Sequence, residues 1–217
     1  MTDLFVRDFE SKLHSKATEI ANRDGLTLGS IVSDAVDKWI THRERSHVTH
    51  DLVLYSDEED LINMLKTVDQ LTKQNWLKAC CGVNTHTGMQ FLKKQGWFDG
   101  TVEPYRQFLD NPTKYANKVL EKIGNQVGEN QLLVMAFLTG DMAHKRSLKK
   151  AGIFCQWYDN KGVVGITHCV ADSKNILTGS TDDILELFKA HDQVFIVKQD
   201  KLHRIRMTDE NFYSLLV

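Results

Sequence analysis

Apolar positions recur along this chain with two different periods, and the change of period divides it. Over residues 10–23, Leu13, Ala17, Ile20 and Ala21, with Phe9 just ahead, fall on one stripe at helical spacing. Asp24-Gly25 ends that stripe, because glycine accepts the left-handed backbone that closes a helix. Thr27 then supplies an N-cap, and Ile31, Val32, Ala35, Val36, Trp39 and Ile40 repeat at the same spacing. Residues 4–9, ahead of both helices, form a short strand candidate. Residues 41–51 are polar and aperiodic and contain three histidines. They predict a linker, with a His-rich metal tract as the alternative.

From Leu52 the pattern becomes an alternation of strand and helix. Residues 52–55 predict a buried strand, and Ser56 with Glu59 forms a capping box for a helix burying Leu61, Ile62, Leu65 and Val68. Residues 76–83 return as a strand, and strand-helix-strand order predicts a parallel sheet. Gly82, Thr85, His86, Thr87 and Gly88 follow at its carboxyl end, where open α/β sheets bind ligands. Residues 84–130 predict a helical insertion, with helices at 89–94, 104–109 and 113–123. Residues 131–138 hold seven consecutive apolar residues, the mark of a central strand. One helix bearing His144, Lys145, Arg146, Lys149 and Lys150 comes next, followed by a strand at 153–158. Residues 163–178 predict a β-hairpin turning at Asp172-Ser173-Lys174-Asn175. A helix at 182–190, strands at 194–198 and 202–207, and a segment at 212–217 packing back on the core complete an α/β fold.

Strand, helix, the spacing G-x-T-x-x-S from Gly25 to Ser30, and a second helix make residues 1–45 resemble a ribbon-helix-helix module of the Arc, CopG and MetJ type. A strand and two helices of this size cannot bury their own apolar faces, and an unpaired strand leaves its backbone groups open. A homodimer that pairs the two strands cures both defects. The resemblance implies that the paired ribbon enters the major groove of a double-stranded DNA operator. It also implies a phosphate held at the start of the second helix by Thr27, Gly29 and Ser30. Counting back from Gly25 places Leu4, Val6 and Asp8 toward the groove, and a one-residue slip of the strand turns Arg7 outward instead. Residues 1–50 hold seven Lys/Arg and eight Asp/Glu, so DNA binding and dimerisation alone both stay open for the module.

Residues 52–217 carry a second resemblance. Ala151-Gly152, a strand, a hairpin, Asp172 and then Gly179-Ser180 resemble the end of a phospholipase D-like domain. In that register the family's catalytic His falls on Gly165, its Lys on Thr167 and its Asn on Asp182, so both catalytic residues are absent. His168 stands three residues late and therefore on the opposite sheet face. The resemblance implies a catalytically inactive phospholipase D-like domain that binds rather than cleaves, as in the TrmB-type regulators of archaea. Its ligand residues would be His168, Asp172, Ser180 and Asp182, a set suited to a polyol or sugar. The alternative from the same resemblance is a nuclease or phosphodiesterase that uses His168 across a dimer.

Composition narrows the classes. Hydrophobic residues make up 41% and charged residues 26%, and no run approaches the roughly 18 apolar residues of a membrane span. Met1-Thr-Asp-Leu lacks a signal-peptide layout, so a cytoplasmic chain with no membrane partner is expected. The net charge of −2 does not announce a nucleic-acid binder, which leaves DNA binding to the local motif. Cys80, Cys81, Cys155 and Cys169 show no C-x-x-C spacing and read as small buried side chains in strands, with no metal and no cofactor. The sharper alternative is a thiol or metal sensor that combines them with His86 and His168. Taken together, the expectation is a dimeric DNA-binding transcription regulator whose larger domain senses a small effector.

Overall fold

The computed structural model describes residues 10–45, 48–72, 75–198 and 201–205. The chain divides into two units between His47 and Val48. In the first unit, α1 (Ser11–Asp24) ends at Gly25, whose φ of 68° lets its N–H turn back to the Ala21 carbonyl. Thr27 Oγ1 accepts from the Ser30 N–H at 3.1 Å and so caps α2 (Leu28–Arg45). Leu13, Ile20 and Val36 each stay more than a third exposed. The predicted strand, and with it Leu4, Val6, Arg7 and Asp8, lies outside the described residues, as does the segment at 212–217.

The second unit runs β1 (Val48–Tyr55), α3 (Glu58–Leu71), β2 (Trp76–Cys81), α4 (Thr87–Lys94), β3 (Phe98–Asp99), α5 (Arg106–Asp110), α6 (Pro112–Val127) and β4 (Gln131–Ala136). It continues with α7 (Leu138–Lys145), α8 (Leu148–Asp159), β5 (Gly165–Asp172), α9 (Ser173–Leu177), α10 (Thr181–Lys189), β6 (Gln193–Lys198) and β7 (Lys201–Ile205). Among the described residues the strands form one seven-stranded sheet in the order β3-β2-β4-β5-β1-β6-β7. Every pairing is parallel except β6 with β7, which gives the expected α/β class. Successive side chains alternate between the two faces. Leu52, Leu54, Cys169, Ala171, Leu132 and Val134 share one face with α6, α8 and α10. Val53, Tyr55, Val170, Leu133 and Met135 share the other with α3 and α4.

Several local expectations are corrected. Residues 41–45 and 48–51 are helix and strand rather than linker: α2 runs through Arg45, and β1 opens at Val48, four residues before Leu52. The polar Thr49, His50 and Asp51 misled because they sit inside a central strand and are all buried. Residues 84–130 are not an insertion either. Its longest helix, α6, is the crossover that joins the parallel neighbours β2 and β4, and it buries Tyr115, Ala116, Val119 and Ile123. The cap before α3 is Asp57, not Ser56, and its carboxylate accepts from Glu59 N and Asp60 N.

The single basic helix is two helices, α7 and α8, with Ser147 capping the second. Residues 153–158 lie within α8 rather than in a strand; Leu148, Ala151, Gly152, Phe154 and Cys155 are its buried stripe. The Ala-Gly pair masked that period, since glycine more often ends a helix. Finally, no hairpin spans residues 163–178. The strand β5 pairs in parallel with both β1 and β4, and the turn-like Asp172-Ser173 instead starts α9, with the Asp172 carboxylate accepting from Lys174 N at 2.8 Å. Asp and Ser serve turns and N-caps through the same local hydrogen bond, so composition does not separate the two.

Gly165 opens β5 at φ 130°, and a Cβ built there would lie 2.7 Å from the Leu132 carbonyl oxygen. The start of β5 thus has no room for a side chain. Gly165→Ala is expected to cost about 1–3 kcal/mol, read as a lower urea midpoint of the purified chain, because it combines a disfavoured φ with a backbone clash.

Candidate functional site

The residues predicted to hold a ligand are not gathered into one pocket. Asp172 caps α9, and Ser180 Oγ accepts from Asp183 N at 3.2 Å to cap α10. Asp182 is exposed in the first turn of α10. His168 points to the α3/α4 side of the sheet, where its Nδ1 lies 3.6 Å from Asp51 Oδ2. In the first unit, Thr27 already takes the Ser30 N–H, and Ser30 Oγ donates back to the Thr27 carbonyl at 2.9 Å.

At the carboxyl end of the strands, His86 caps α4 by accepting from Gly88 N on Nδ1 at 3.1 Å. That bond leaves the ring proton on Nε2, which donates to the Tyr55 hydroxyl at 3.1 Å. Tyr105 donates to the carboxylate of Asp141 in the first turn of α7. Burial, reinforced by Asp172, Glu58 and Asp141, pushes the Tyr55 hydroxyl up to about 12, and burial lowers His86.

The more distinctive construction is on the opposite face. Between the sheet and the helices α6 and α8 lies a cavity of about 310 Å³. Its walls are mainly apolar: Val119, Ile123 and Val127 from α6, Leu132 and Val134 from β4, and Phe154 from α8. Val164, 66% exposed, and Gly124, also exposed, lie at its mouth. One wall is polar and includes His50, Thr139, Tyr158, Thr167 and Cys169. Tyr158 and Thr167 share a hydroxyl hydrogen bond of 2.8 Å.

Behind that wall two histidines and two cysteines converge. His50 and Cys169 stand on neighbouring strands with their side chains on the same face, and His50 Nε2 lies 3.2 Å from Cys169 Sγ. Cys155 enters from α8, and Thr139 Oγ1 lies 3.2 Å from its sulfur. His191 follows α10, held there because Asp192 and His50 exchange two hydrogen bonds: His50 N donates to the Asp192 carboxylate at 2.8 Å, and Asp192 N donates to the His50 carbonyl at 2.7 Å. The imidazole rings of His50 and His191 are 4.3 Å apart between centroids. One ligand-capable atom from each of the four residues lies within 4.8 Å of the others, and all four residues are buried.

The electrostatics of this cluster follow from its geometry. A hydrogen bond from Cys155 and the nearby His50 and His191 rings hold Cys169 well below the usual thiol value, against the effect of burial. Cys155 itself is driven well up by burial. Burial alone would lower His50, but the Cys169 sulfur, with Asp159 and Asp192, outweighs it and leaves the ring raised. Cys155 stands on a helix, α8, not in the strand expected at 153–158, and the histidines expected as its partners were His86 and His168. Neither of those histidines belongs to the cluster, and the true partners, His50 and His191, come from segments read as linker and helix end. Of the four, only His50 and Cys169 stand in strands, while Cys155 lies on α8 and His191 follows α10, so linear spacing does not reveal the set.

Folding depresses His86, so below the ordinary histidine value of 6.5 the unfolded chain binds a proton that the folded chain resists, and stability falls as pH drops. His86→Asn retains a capping acceptor for Gly88 N and removes the titration. The urea midpoint of this variant is expected to fall less than that of the unmodified chain between about pH 7.5 and about pH 5.5.

No protein-family model matches the chain, and no curated protein matches it. Among solved structures, it is similar to a protein from a structural study of Pyrococcus horikoshii OT3, with 11% identity and a TM-score of 0.46 over 75% of this chain and 88% of that one.

Proposed function

We propose that this chain is a dimeric DNA-binding transcription regulator whose α/β unit senses a small, mainly apolar molecule. The cavity beneath α6 and α8 carries the sensing half of the proposal. Its volume of about 310 Å³ falls in the range of small-molecule sites, and apolar walls with a few convergent polar groups are the usual make-up of such sites. The hydroxyl pair of Tyr158 and Thr167 on the polar wall suits one polar head on an otherwise apolar ligand, which replaces the polyol expected from Asp172, Ser180 and Asp182.

The DNA-binding half rests on the resemblance of residues 1–45 to ribbon-helix-helix modules and on the Thr27-capped start of α2, where a helix N-terminus favours a phosphate. The part-exposed Leu13, Ile20 and Val36 are residues that a second copy would cover. Ligand and DNA would then be linked by a coupling free energy, each shifting the affinity of the other by the same factor.

The test pairs two measurements. Fluorescence anisotropy against the DNA upstream of the chain's own gene and a scrambled duplex is expected to show sequence-selective binding that weakens linearly in log salt. Absence of binding at low salt by a proven dimer would reduce the first unit to a dimerisation device. A thermal-shift panel of medium-chain carboxylates, aromatic acids and sugars is expected to respond to the first two classes; a response confined to sugars would overturn the cavity reading. Gly124 lines the cavity with nothing within 4 Å of a built Cβ. Gly124→Leu is therefore expected to raise helix stability slightly while weakening ligand binding about tenfold, or ~1.4 kcal/mol.

A further inference from the structure

We propose that His50, Cys155, Cys169 and His191 form a binding site for one zinc(II) ion. The site goes beyond the regulator reading and does not depend on which molecule the cavity binds.

The donor set is the first ground. Two thiols and two imidazoles are the ligands that tetrahedral zinc takes in closed sites, whereas magnesium and calcium prefer oxygen. Around a zinc ion with bonds of about 2.0–2.3 Å, tetrahedral geometry separates the ligand atoms by roughly 3.3–3.8 Å. Here His50 Nε2 and Cys169 Sγ are already 3.2 Å apart, and the four donor atoms all fall within 4.8 Å of one another. Small side-chain rotations close the remaining gap. The four donors come from β1, β5, α8 and the segment between α10 and β6, so the ion would tie together both central strands and the helices over them.

The protonation pattern is the second ground. His191 Nδ1 lies 2.7 Å from the Leu187 carbonyl, an acceptor, so Nδ1 carries the proton and Nε2 keeps its lone pair. That Nε2 is buried, in a residue only 8% exposed, and the group it faces is the Cys169 sulfur of the same cluster. A buried acceptor with only a thiol beside it carries a desolvation cost. A metal removes that cost.

The surroundings supply the third. Metal-bound histidines characteristically donate their second ring N–H to a carbonyl or a carboxylate. Leu187 O does this for His191; the carboxylate nearest His50 Nδ1, Asp159 Oδ1 at 3.8 Å, stands beyond hydrogen-bond reach. Thr139 Oγ1 is placed to donate to the Cys155 sulfur. His50 and Cys169 also line the cavity, whose mouth at Val164 gives the ion a route from solvent. Each cysteine binds as the thiolate, and any proton on its sulfur leaves to solvent as the metal enters.

The full chain, purified under reducing conditions and stripped with a chelator, is to be incubated with zinc chloride, desalted and measured by inductively coupled plasma mass spectrometry. One zinc per chain is expected. Loading with cobalt(II) instead should give sulfur-to-cobalt charge transfer and the intense visible bands of a tetrahedral site. His191→Gln keeps an amide donor for Leu187 O and removes a ligand, so its zinc should be lost, as in Cys169→Ser; Cys80→Ser should retain full zinc. Thr139→Val, nearly isosteric, should weaken zinc by about tenfold or more in competition with a chromophoric chelator. Failure of the reduced, unmodified chain to retain zinc would overturn the proposal. So would cobalt spectra without sulfur charge transfer, undiminished zinc in folded His191→Gln, or a Cys155–Cys169 disulfide that persists under reductant.

Discussion

Strand β1 lies between two parallel partners, β5 and β6, so every backbone group in its middle is paired with a neighbouring strand. From Thr49 to Tyr55 no residue is exposed. This double pairing is the constraint on which the rest of the α/β unit depends. It sets the register that places His50 and Leu52 on the face of Thr167 and Cys169, and Asp51 and Val53 on the face of His168 and Val170. A shift of one residue would exchange the faces and dismantle both cores at once.

The polar side chains at the start of β1 become intelligible in that frame. Asp51 and His168 form a pair on one side of the sheet, and His50 joins Cys169, Cys155 and His191 on the other. Burying such groups is costly unless each finds a partner, so each is surrounded by others of its own kind. The reciprocal bonds between His50 and Asp192 anchor the loop that brings His191 in, and the same backbone link leads into β6. Packing and polar pairing therefore position the same small region, and the cavity under α6 and α8 opens against it.

Two kinds of local ambiguity account for the misread elements. Glycine and the Asp-Ser pair each serve more than one structure: Gly152 lies inside α8 where it signals a helix end, and Asp172-Ser173 starts α9 where it signals a hairpin turn. Buried polar residues were the other. His50 and Asp51 carry no hydrophobic signal, so the pattern placed the opening of β1 four residues late. The crossover role of α6 was hidden for a different reason, since whether a helix is an insertion or a connection depends on which strands it joins.

The sequence by itself determined the α/β class, most of the helices and the continuous run of β4, because apolar periodicity and runs of buried strand residues are local properties of the chain. It determined the caps at Gly25 and Thr27 for the same reason. Strand order, the faces on which His50, His168 and Cys169 stand, and the meeting of His50, Cys155, Cys169 and His191 were decided only by the tertiary structure. Those four residues lie on separate elements far apart in the chain, and no spacing rule links them. They come together because a parallel sheet joins sequence-distant strands through helices that cross its faces, so that proximity follows from topology rather than from neighbourhood in sequence.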